Sequence, residues 1–134
     1  MAGVRLRKHA DYQRAYGAAR KRQSASMSWF LAPQAADNGA ERPAGPRVGL
    51  TAGKVLGKAH ERNRIKRRMR EVLRRHIGLI PAGYDLILHP RRVVLTMEFP
   101  KLEAEVVRIL EQAIAEAARA GAQIKGAPLP AQHS

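Results

Sequence analysis

The stretch from Arg62 to His76 constrains the fold most, because it is both strongly basic and periodic. Eight of its fifteen residues are Lys or Arg, and Glu71 is its one acidic residue. Apolar residues recur in it, and just beyond it, at the spacing of one face of an α-helix: Ile65, Met69, Val72, Leu73 and Ile77. This pattern predicts a helix that buries one face in a core and holds its charges outward.

The polar side of this predicted helix carries its cations in two rows. The row opposite the apolar stripe holds Asn63, Lys66, Arg67, Arg70 and Arg74, a second flank holds Arg64, Arg68 and Arg75, and Arg62 lies near the start. Like charges four residues apart destabilise a helix by roughly 0.2–0.5 kcal/mol per pair, and a bound polyanion relieves that repulsion. Solvated helix faces usually mix both signs, so the pattern favours a polyanion partner over an ordinary solvated surface.

The net charge of +14 is concentrated in two segments. Residues 1–22 carry a net +6 and residues 62–76 a net +7, whereas residues 77–134 balance six basic against six acidic side chains. This asymmetry is typical of a nucleic-acid-binding protein with one bound face and one supporting half. An anionic membrane is the weaker alternative, because the basic helix has no Trp or Phe on its apolar side.

Length and composition indicate one soluble, cytoplasmic domain. The chain has 134 residues, 45% of them hydrophobic, which is enough for a modest core. There is no cysteine, which excludes disulfides and thiolate metal sites. No apolar run approaches the ~18 residues of a membrane span, and no apolar segment of a secretory signal follows the basic N-terminus. We expect a folded domain over residues 1–120 and a disordered tail over 121–134.

A short helix is predicted before the basic stretch, over residues 8–19. Tyr12 and Tyr16 lie four residues apart on it, together with Ala15 and Ala19. The two tyrosines are equally compatible with core packing and with a platform for base stacking, which is worth ~1–3 kcal/mol per base.

The first predicted strand, residues 27–32, has aromatic residues on both faces. Its alternation sends Met27, Trp29 and Leu31 to one face and Ser28, Phe30 and Ala32 to the other. One of these faces must be covered by a core, which leaves the other for binding.

The remaining elements complete an α, β, β, α, β, α order. They are a mobile loop at about 33–46, a strand at 47–52, a turn with Lys54, a helix stop at Ile77–Gly78, a strand at 84–89, and a helix from Thr96 or Pro100 to Ala120 closed by Gly121. This order predicts an α+β sandwich, a small mixed sheet with helices on one side.

Side chains for catalysis are scarce in this sequence. Eleven acidic residues are few for a two-metal phosphodiesterase site, and the five histidines show no metal-ligand spacing. His60 and His76 bracket the basic helix, but at 1.5 Å per residue they lie about 24 Å apart and cannot act on one bond. We therefore expect RNA binding with little catalysis and no metal site.

The segment Arg62–Arg67, extended to Arg70–Glu71, resembles the "RNR" signature of the protein component of bacterial ribonuclease P. Residues 11–16 are similar to that family's first helix with its aromatic pair. Residues 47–51, with Lys54 and Gly57, resemble the strand and turn before the signature, and the resemblance spans roughly residues 5–118.

The resemblance implies a protein subunit that binds a catalytic RNA and helps it remove the 5′ leader from precursor tRNA. The RNA performs this endonucleolytic step with Mg²⁺, no protein side chain is catalytic or binds metal, and no obligate protein partner or membrane is involved. The implied RNA-binding residues are Arg62, Asn63, Arg64, Lys66, Arg67, Arg70, Arg74 and Lys54. The implied leader-binding cleft is lined by Tyr12, Tyr16 and Phe30. The family also implies a left-handed βαβ crossover, against the right-handed rule.

Two departures from the family pattern and two other functions stay open. Val55 stands where the family usually has a second lysine, and the aromatic pair, usually Phe, is Tyr here. The alternative functions are a generic basic RNA-binding protein, of ribosomal or RNA-chaperone type without a role in tRNA 5′ processing, and a self-contained nuclease.

Overall fold

The computed structural model describes residues 9–34 and 45–124, without the side chains of 11, 18 and 120–124. Its helices are α1 (His9–Ala18), α2 (Ala59–Arg75) and α3 (Phe99–Ile124), and its strands are β1 (Arg22–Gln23), β2 (Met27–Pro33), β3 (Arg47–Leu50) and β4 (Tyr84–Pro90). Short 3-10 helices lie at Lys54–Leu56, Ile77–Leu79 and Arg92–Leu95. Most of the predicted mobile loop, 35–44, and most of the predicted tail, 125–134, fall outside the described residues.

The four strands form one mixed sheet in the order β1-β2-β4-β3. β2 and β4 pair antiparallel along their whole length, from Met27 opposite Pro90 to Pro33 opposite Tyr84. β3 runs parallel to β4, with Val48 opposite Leu86, so α2 lies in a β-α-β crossover. The α+β class is confirmed, whereas the left hand of the crossover stays a prediction.

Alternation along β2 divides the interior into two clusters. Met27 and Trp29 pack in the larger cluster, with residues of α2 and α3. Ala32 and Phe30 pack in the smaller one, with Ala15 of α1. The predicted faces of this strand are confirmed. The prediction of helices on one side only is wrong, because α1 packs on the sheet face opposite to α2 and α3.

The apolar stripe of α2 is confirmed for Ile65, Met69, Val72 and Leu73, none of which is exposed to solvent. Ile77 does not belong to it and is 39% exposed. The helix ends at Arg75, and Ile77 opens the 3-10 helix that follows. The chain has changed direction before Ile77 would have completed the stripe.

Two further elements differ from the sequence prediction. The connection before β2 contains the two-residue strand β1, which pairs with Trp29 and Ser28. α3 continues through Gly121, which therefore does not close the helix. Leu102, Val106, Ile109, Leu110 and Ala113 of α3 are buried, whereas Ile114 is 37% exposed. Within the described ranges, no helix has the length and apolar character to cross a membrane.

Candidate nucleic-acid interface

The outward face of α2 is a row of four cations. Arg64 and Arg67 are exposed, and Lys66 and Arg70 are partly exposed. None of the four forms a hydrogen bond or ion pair with another described residue. Asn63 is exposed between them. Because the opposite side of α2 is buried, these four side chains must face outward. They form a positively charged surface that a polyanion would neutralise.

Glu71 does not neutralise that row, because it pairs toward the C-terminal end of α2. Its carboxylate accepts hydrogen bonds from Arg74 at 2.7 Å and from Arg75 at 3.1 Å. These hydrogen bonds hold the pKa of Glu71 below its ordinary value. Arg74, placed by sequence among the RNA-binding residues, is thus ion-paired, although its side chain is 63% exposed.

The second basic flank is mainly structural. Arg68 donates a hydrogen bond to the carbonyl of Met97. The Arg75 guanidinium lies 4.9 Å from the centre of the Phe99 ring. These contacts attach α2 to the start of α3, so of this flank only Arg64 remains without a partner among the described residues.

The turn before α2 is held by a clamp between Glu61 and Arg92. Arg92 donates to the Leu56 carbonyl at 2.7 Å and pairs with the Glu61 carboxylate at 2.9 Å. Glu61 also accepts the backbone N–H of Lys58 at 2.9 Å, which caps α2. Gly57 lies against both side chains with φ of 127°, where a Cβ would be strained and would collide with them. The clamp fixes where α2 leaves the sheet.

Lys54 and Val55 lie on the exposed outer side of this turn. Both belong to the 3-10 helix Lys54–Leu56, and Val55 is 91% exposed. A lysine in place of Val55 would stand in solvent. Val55 therefore supplies no positive charge at this exposed position and adds nothing to core packing.

We expect replacement of Glu61 by Gln to flatten the acid sensitivity of the fold. The hydrogen bond from Arg92 and that from the Lys58 backbone lower the Glu61 pKa from 4.5 to about 2. A lowered carboxyl pKa stabilises the folded state above the ordinary pKa, and this contribution is lost as the pH falls from 4.5 toward 2. Thermal unfolding at pH 6 and pH 3, followed by circular dichroism, should show a smaller drop in Tm for Glu61→Gln than for the parent.

Glu111→Gln is the matched control for that experiment, because Glu111 is exposed and has no partner among the described residues. It should lose as much Tm between the two pH values as the parent does. An equal drop in Glu61→Gln and the parent would contradict the clamp.

The sheet face opposite to α2 carries a cluster of four aromatic rings from α1, β2 and β4. The Tyr16 ring centre lies 4.9 Å from that of Phe30 and 6.3 Å from that of Tyr12. His89 completes this aromatic cluster, 5.7 Å from Tyr16 and 5.5 Å from Phe30. Tyr16 is 37% exposed. The three residues predicted to line a leader-binding cleft are therefore adjacent, and His89 joins them.

Gly49 of β3 provides the floor beneath Tyr12. A Cβ on Gly49 would lie 2.8 Å from the Cε1 and Cζ atoms of the Tyr12 ring, closer than carbon atoms approach. Only a residue without a side chain allows this ring to approach β3 so closely. Since β3 continues into the turn with Lys54, it links the aromatic face to the start of the basic helix.

Burial in the aromatic cluster favours the uncharged forms of His89 and Tyr16. Burial, with a smaller effect of Lys21, lowers the pKa of His89 below its ordinary value. Burial, with a smaller effect of Tyr12, raises the pKa of the Tyr16 hydroxyl. The Tyr16 hydroxyl and the His89 Nε2 lie 3.1 Å apart in a hydrogen bond. The cluster thus presents aromatic faces and polar edges. The cation that acts on it, Lys21, lies outside the cluster.

Asp85 attaches α1 to the sheet beside this cluster. Its side chain is fully buried and accepts hydrogen bonds from Arg47 at 2.8 Å and 3.1 Å and from Arg14 at 3.0 Å. Arg14 comes from α1 and Arg47 from β3, so one carboxylate on β4 joins three elements. This arrangement sets the position of α1, and with it that of the two tyrosines.

His89 is the residue of this surface that sequence reasoning missed. The histidines show no metal-ligand spacing, and among the described residues no group of three or more His, Cys, Asp or Glu side chains is placed to hold a metal ion. The signal in the sequence that indicates the position of His89 is the alternation of side chains along β4. His89 follows Asp85 and Ile87 on one face of β4, and Ile87 pairs with Phe30.

Comparison with known proteins identifies the family. The family model described as Ribonuclease P matches residues 2–114. The chain belongs to the ribonuclease P protein family. A ribonuclease P protein component from Chloroflexus aggregans is 36% identical over 110 residues, covering 81% of this chain and 76% of that protein. One from Thermobifida fusca is 31% identical over 105 residues, covering 76% and 70%.

Solved ribonuclease P proteins share the fold of this chain. The protein from Thermotoga maritima superposes with a TM-score of 0.67 at 26% identity, covering 81% of this chain and 96% of the other. The protein from Staphylococcus aureus gives 0.65 at 27% identity, covering 82% and 94%. These values confirm both the resemblance stated from the RNR segment and the α+β class.

Proposed function

We propose that this ribonuclease P protein binds the catalytic RNA of the enzyme and the 5′ leader of precursor tRNA, and so assists removal of the leader. The observation that carries the proposal is the row of cations on α2, which have no partner among the described residues and are held outward by a fully buried opposite face. Such a row supplies phosphate contacts, which dominate the affinity of proteins for nucleic acids. The RNA subunit carries out the cleavage with Mg²⁺, and the protein supplies charge and stacking surface.

The two surfaces divide the binding work in this proposal. The α2 row, with Arg62, Asn63 and Lys54, contacts phosphates of structured RNA and sets its position. The aromatic cluster lies on the other sheet face and suits unpaired nucleotides, because a base stacks on an aromatic ring without a sequence requirement. The leader is the single-stranded part of precursor tRNA, so we assign it to Tyr12, Tyr16 and Phe30.

An omission experiment tests this function. Precursor tRNA, the ribonuclease P RNA of the same source, the protein and low Mg²⁺ are combined, and each component is left out in turn. We expect leader removal to need the RNA and to be accelerated by the protein. RNA-free protein that cleaves with multiple turnovers would make it a self-contained nuclease. Binding to many RNAs without acceleration would make it a generic RNA-binding protein.

The replacement of Arg67 or Arg70 by Ala should reduce the salt dependence of binding to the ribonuclease P RNA. Each lost phosphate contact lowers the slope of log K against log salt by about 0.7 to 0.9. Arg75→Ala is the matched control, because Arg75 already pairs with Glu71 and lies over Phe99. Filter binding across a range of salt concentrations measures the slopes. Equal slopes for Arg67→Ala and Arg75→Ala would contradict a phosphate role for Arg67.

The replacement of Tyr16 or Phe30 by Ala should weaken binding of precursor tRNA to the holoenzyme and leave that of mature tRNA unchanged. Loss of one stacked base costs about 1–3 kcal/mol, or roughly five- to 150-fold in affinity. The reason for the difference is that only the precursor has a leader. The two dissociation constants, measured for each variant, check the assignment. Equal losses for both tRNAs would remove it.

A further inference from the structure

His89 brings a polar group into the aromatic cluster that stacking alone does not use. His89 lies on β4 opposite Ser28 of β2, and its imidazole is partly buried. Its Nε2 is occupied by the hydrogen bond with the Tyr16 hydroxyl. Its Nδ1 bonds to no described residue. This atom is not buried, so it is accessible to solvent.

The direction of the Tyr16 hydrogen bond sets whether Nδ1 donates or accepts. When the hydroxyl donates to Nε2, the neutral ring carries its proton on Nδ1. Burial favours this neutral form, and Lys21, the charged group that acts on the ring, favours it too. An N–H donor then points from the edge of a ring that already stacks with Tyr16 and Phe30.

We propose that His89 is a specificity-determining residue of the leader-binding surface, whose Nδ1–H donates a hydrogen bond to the edge of a base stacked on the aromatic cluster. The inference rests on the proposed function, since it assumes that the leader lies on this face. Tyr16 has a second role in it as a positioning residue: its hydroxyl donates to Nε2, which leaves the ring proton on Nδ1, and holds the orientation of the imidazole. The aromatic faces accept any base, whereas a fixed donor favours a base with an acceptor at that edge.

Two amide substitutions separate the two nitrogens of His89. In His89→Asn the amide NH₂ takes roughly the place of Nδ1 and keeps the donor toward the base. In His89→Gln the amide reaches roughly the place of Nε2 and keeps the contact with Tyr16 but not that donor. Tyr16→Phe removes the orienting hydroxyl. Tyr84→Phe is its matched control, since the Tyr84 hydroxyl bonds to Ala117 of α3 on the other side of the sheet.

The test measures binding of the reconstituted holoenzyme to mature tRNA and to precursor tRNAs in which each leader position carries A, G, C or U in turn. We expect the parent to prefer one base or base class at one position by about three- to tenfold, the range of one net hydrogen bond. His89→Gln should reduce the preference to less than about twofold. His89→Asn should retain more of it than His89→Gln, Tyr16→Phe should weaken it, and Tyr84→Phe should leave it as in the parent.

A Tyr16→Phe variant that keeps the full preference removes the positioning role of Tyr16. A parent without base preference, a His89→Gln variant that retains it, or a His89→Asn variant that loses it as fully as His89→Gln overturns the role of His89. Equal binding of precursor and mature tRNA by the parent instead overturns leader binding, and thus the proposed function. Fluorescence of Trp29, which is buried in the core on the other sheet face, confirms that each variant is folded before its binding is compared.

Discussion

Replacement of Leu73 by Asp is expected to unfold the protein. Leu73 is fully buried in the core where α2 meets α3 and the sheet. Removal of a buried leucine side chain costs about 2–5 kcal/mol, and burial of an unpaired carboxylate adds to this. Since a domain is stable by only about 5–15 kcal/mol, the sum removes most or all of its stability. Far-UV circular dichroism and the emission of Trp29 should both report an unfolded chain at room temperature.

Ile77→Asp is the matched control, because it makes an equivalent apolar-to-acidic change only one helical turn further along the chain. Ile77 is 39% exposed and lies beyond the end of α2. Its substitution should change the free energy of unfolding by less than about 1 kcal/mol. If Leu73→Asp melts like the parent, or if Ile77→Asp unfolds as readily, then α2 does not bury its Leu73 face in the core.

Replacement of Asp85 by Asn is expected to have the second largest effect. The buried carboxylate accepts hydrogen bonds from Arg14 and Arg47, whose side chains are only 31% and 25% exposed. Breaking a buried ion pair by removing one partner costs about 3–5 kcal/mol, and we expect the lower end of that range because both guanidinium groups keep partial contact with water. Urea unfolding measures it as a lower midpoint at an unchanged slope.

Asp85→Asn should also separate the two binding surfaces. At a temperature where the variant stays folded, the loosened α1 should weaken leader binding, whereas the α2 row should retain its affinity for the ribonuclease P RNA. Glu111→Gln, an exposed acid-to-amide change on α3, should alter neither stability nor binding. Equal loss of affinity for both RNAs in Asp85→Asn would show that Asp85 supports the whole fold and not the placement of α1.

Helical periodicity was sufficient to predict the buried face of α2. Each of its four internal apolar residues packs in the core, because a 17-residue helix repeats the same face several times. Periodicity did not predict where the helix ends, so Ile77 was placed wrongly. Arg68 and Arg75 resemble the other arginines in sequence. Their structural role depends on Met97 and Phe99, which lie well beyond α2 in the sequence and reach it only through tertiary packing.

The aromatic cluster could be predicted in part. Alternation placed Phe30 correctly, and the resemblance to the family supplied its association with Tyr12 and Tyr16. The pairing of β2 with β4 brings His89 next to Phe30. This pairing depends on the topology of the sheet, which alternation along one strand does not predict. β1 was missed because two residues show no periodicity.

The strand order of the sheet also limits self-association. The two long strands, with seven residues each, pair with each other along their whole length. The outer positions belong to β1, with two residues, and β3, with four. At β3, an edge this short gives another chain few free N–H and C=O groups to extend, which is one way in which natural sheets avoid edge-to-edge aggregation. A concentrated solution of this protein should therefore resist fibre formation through strand addition at β3.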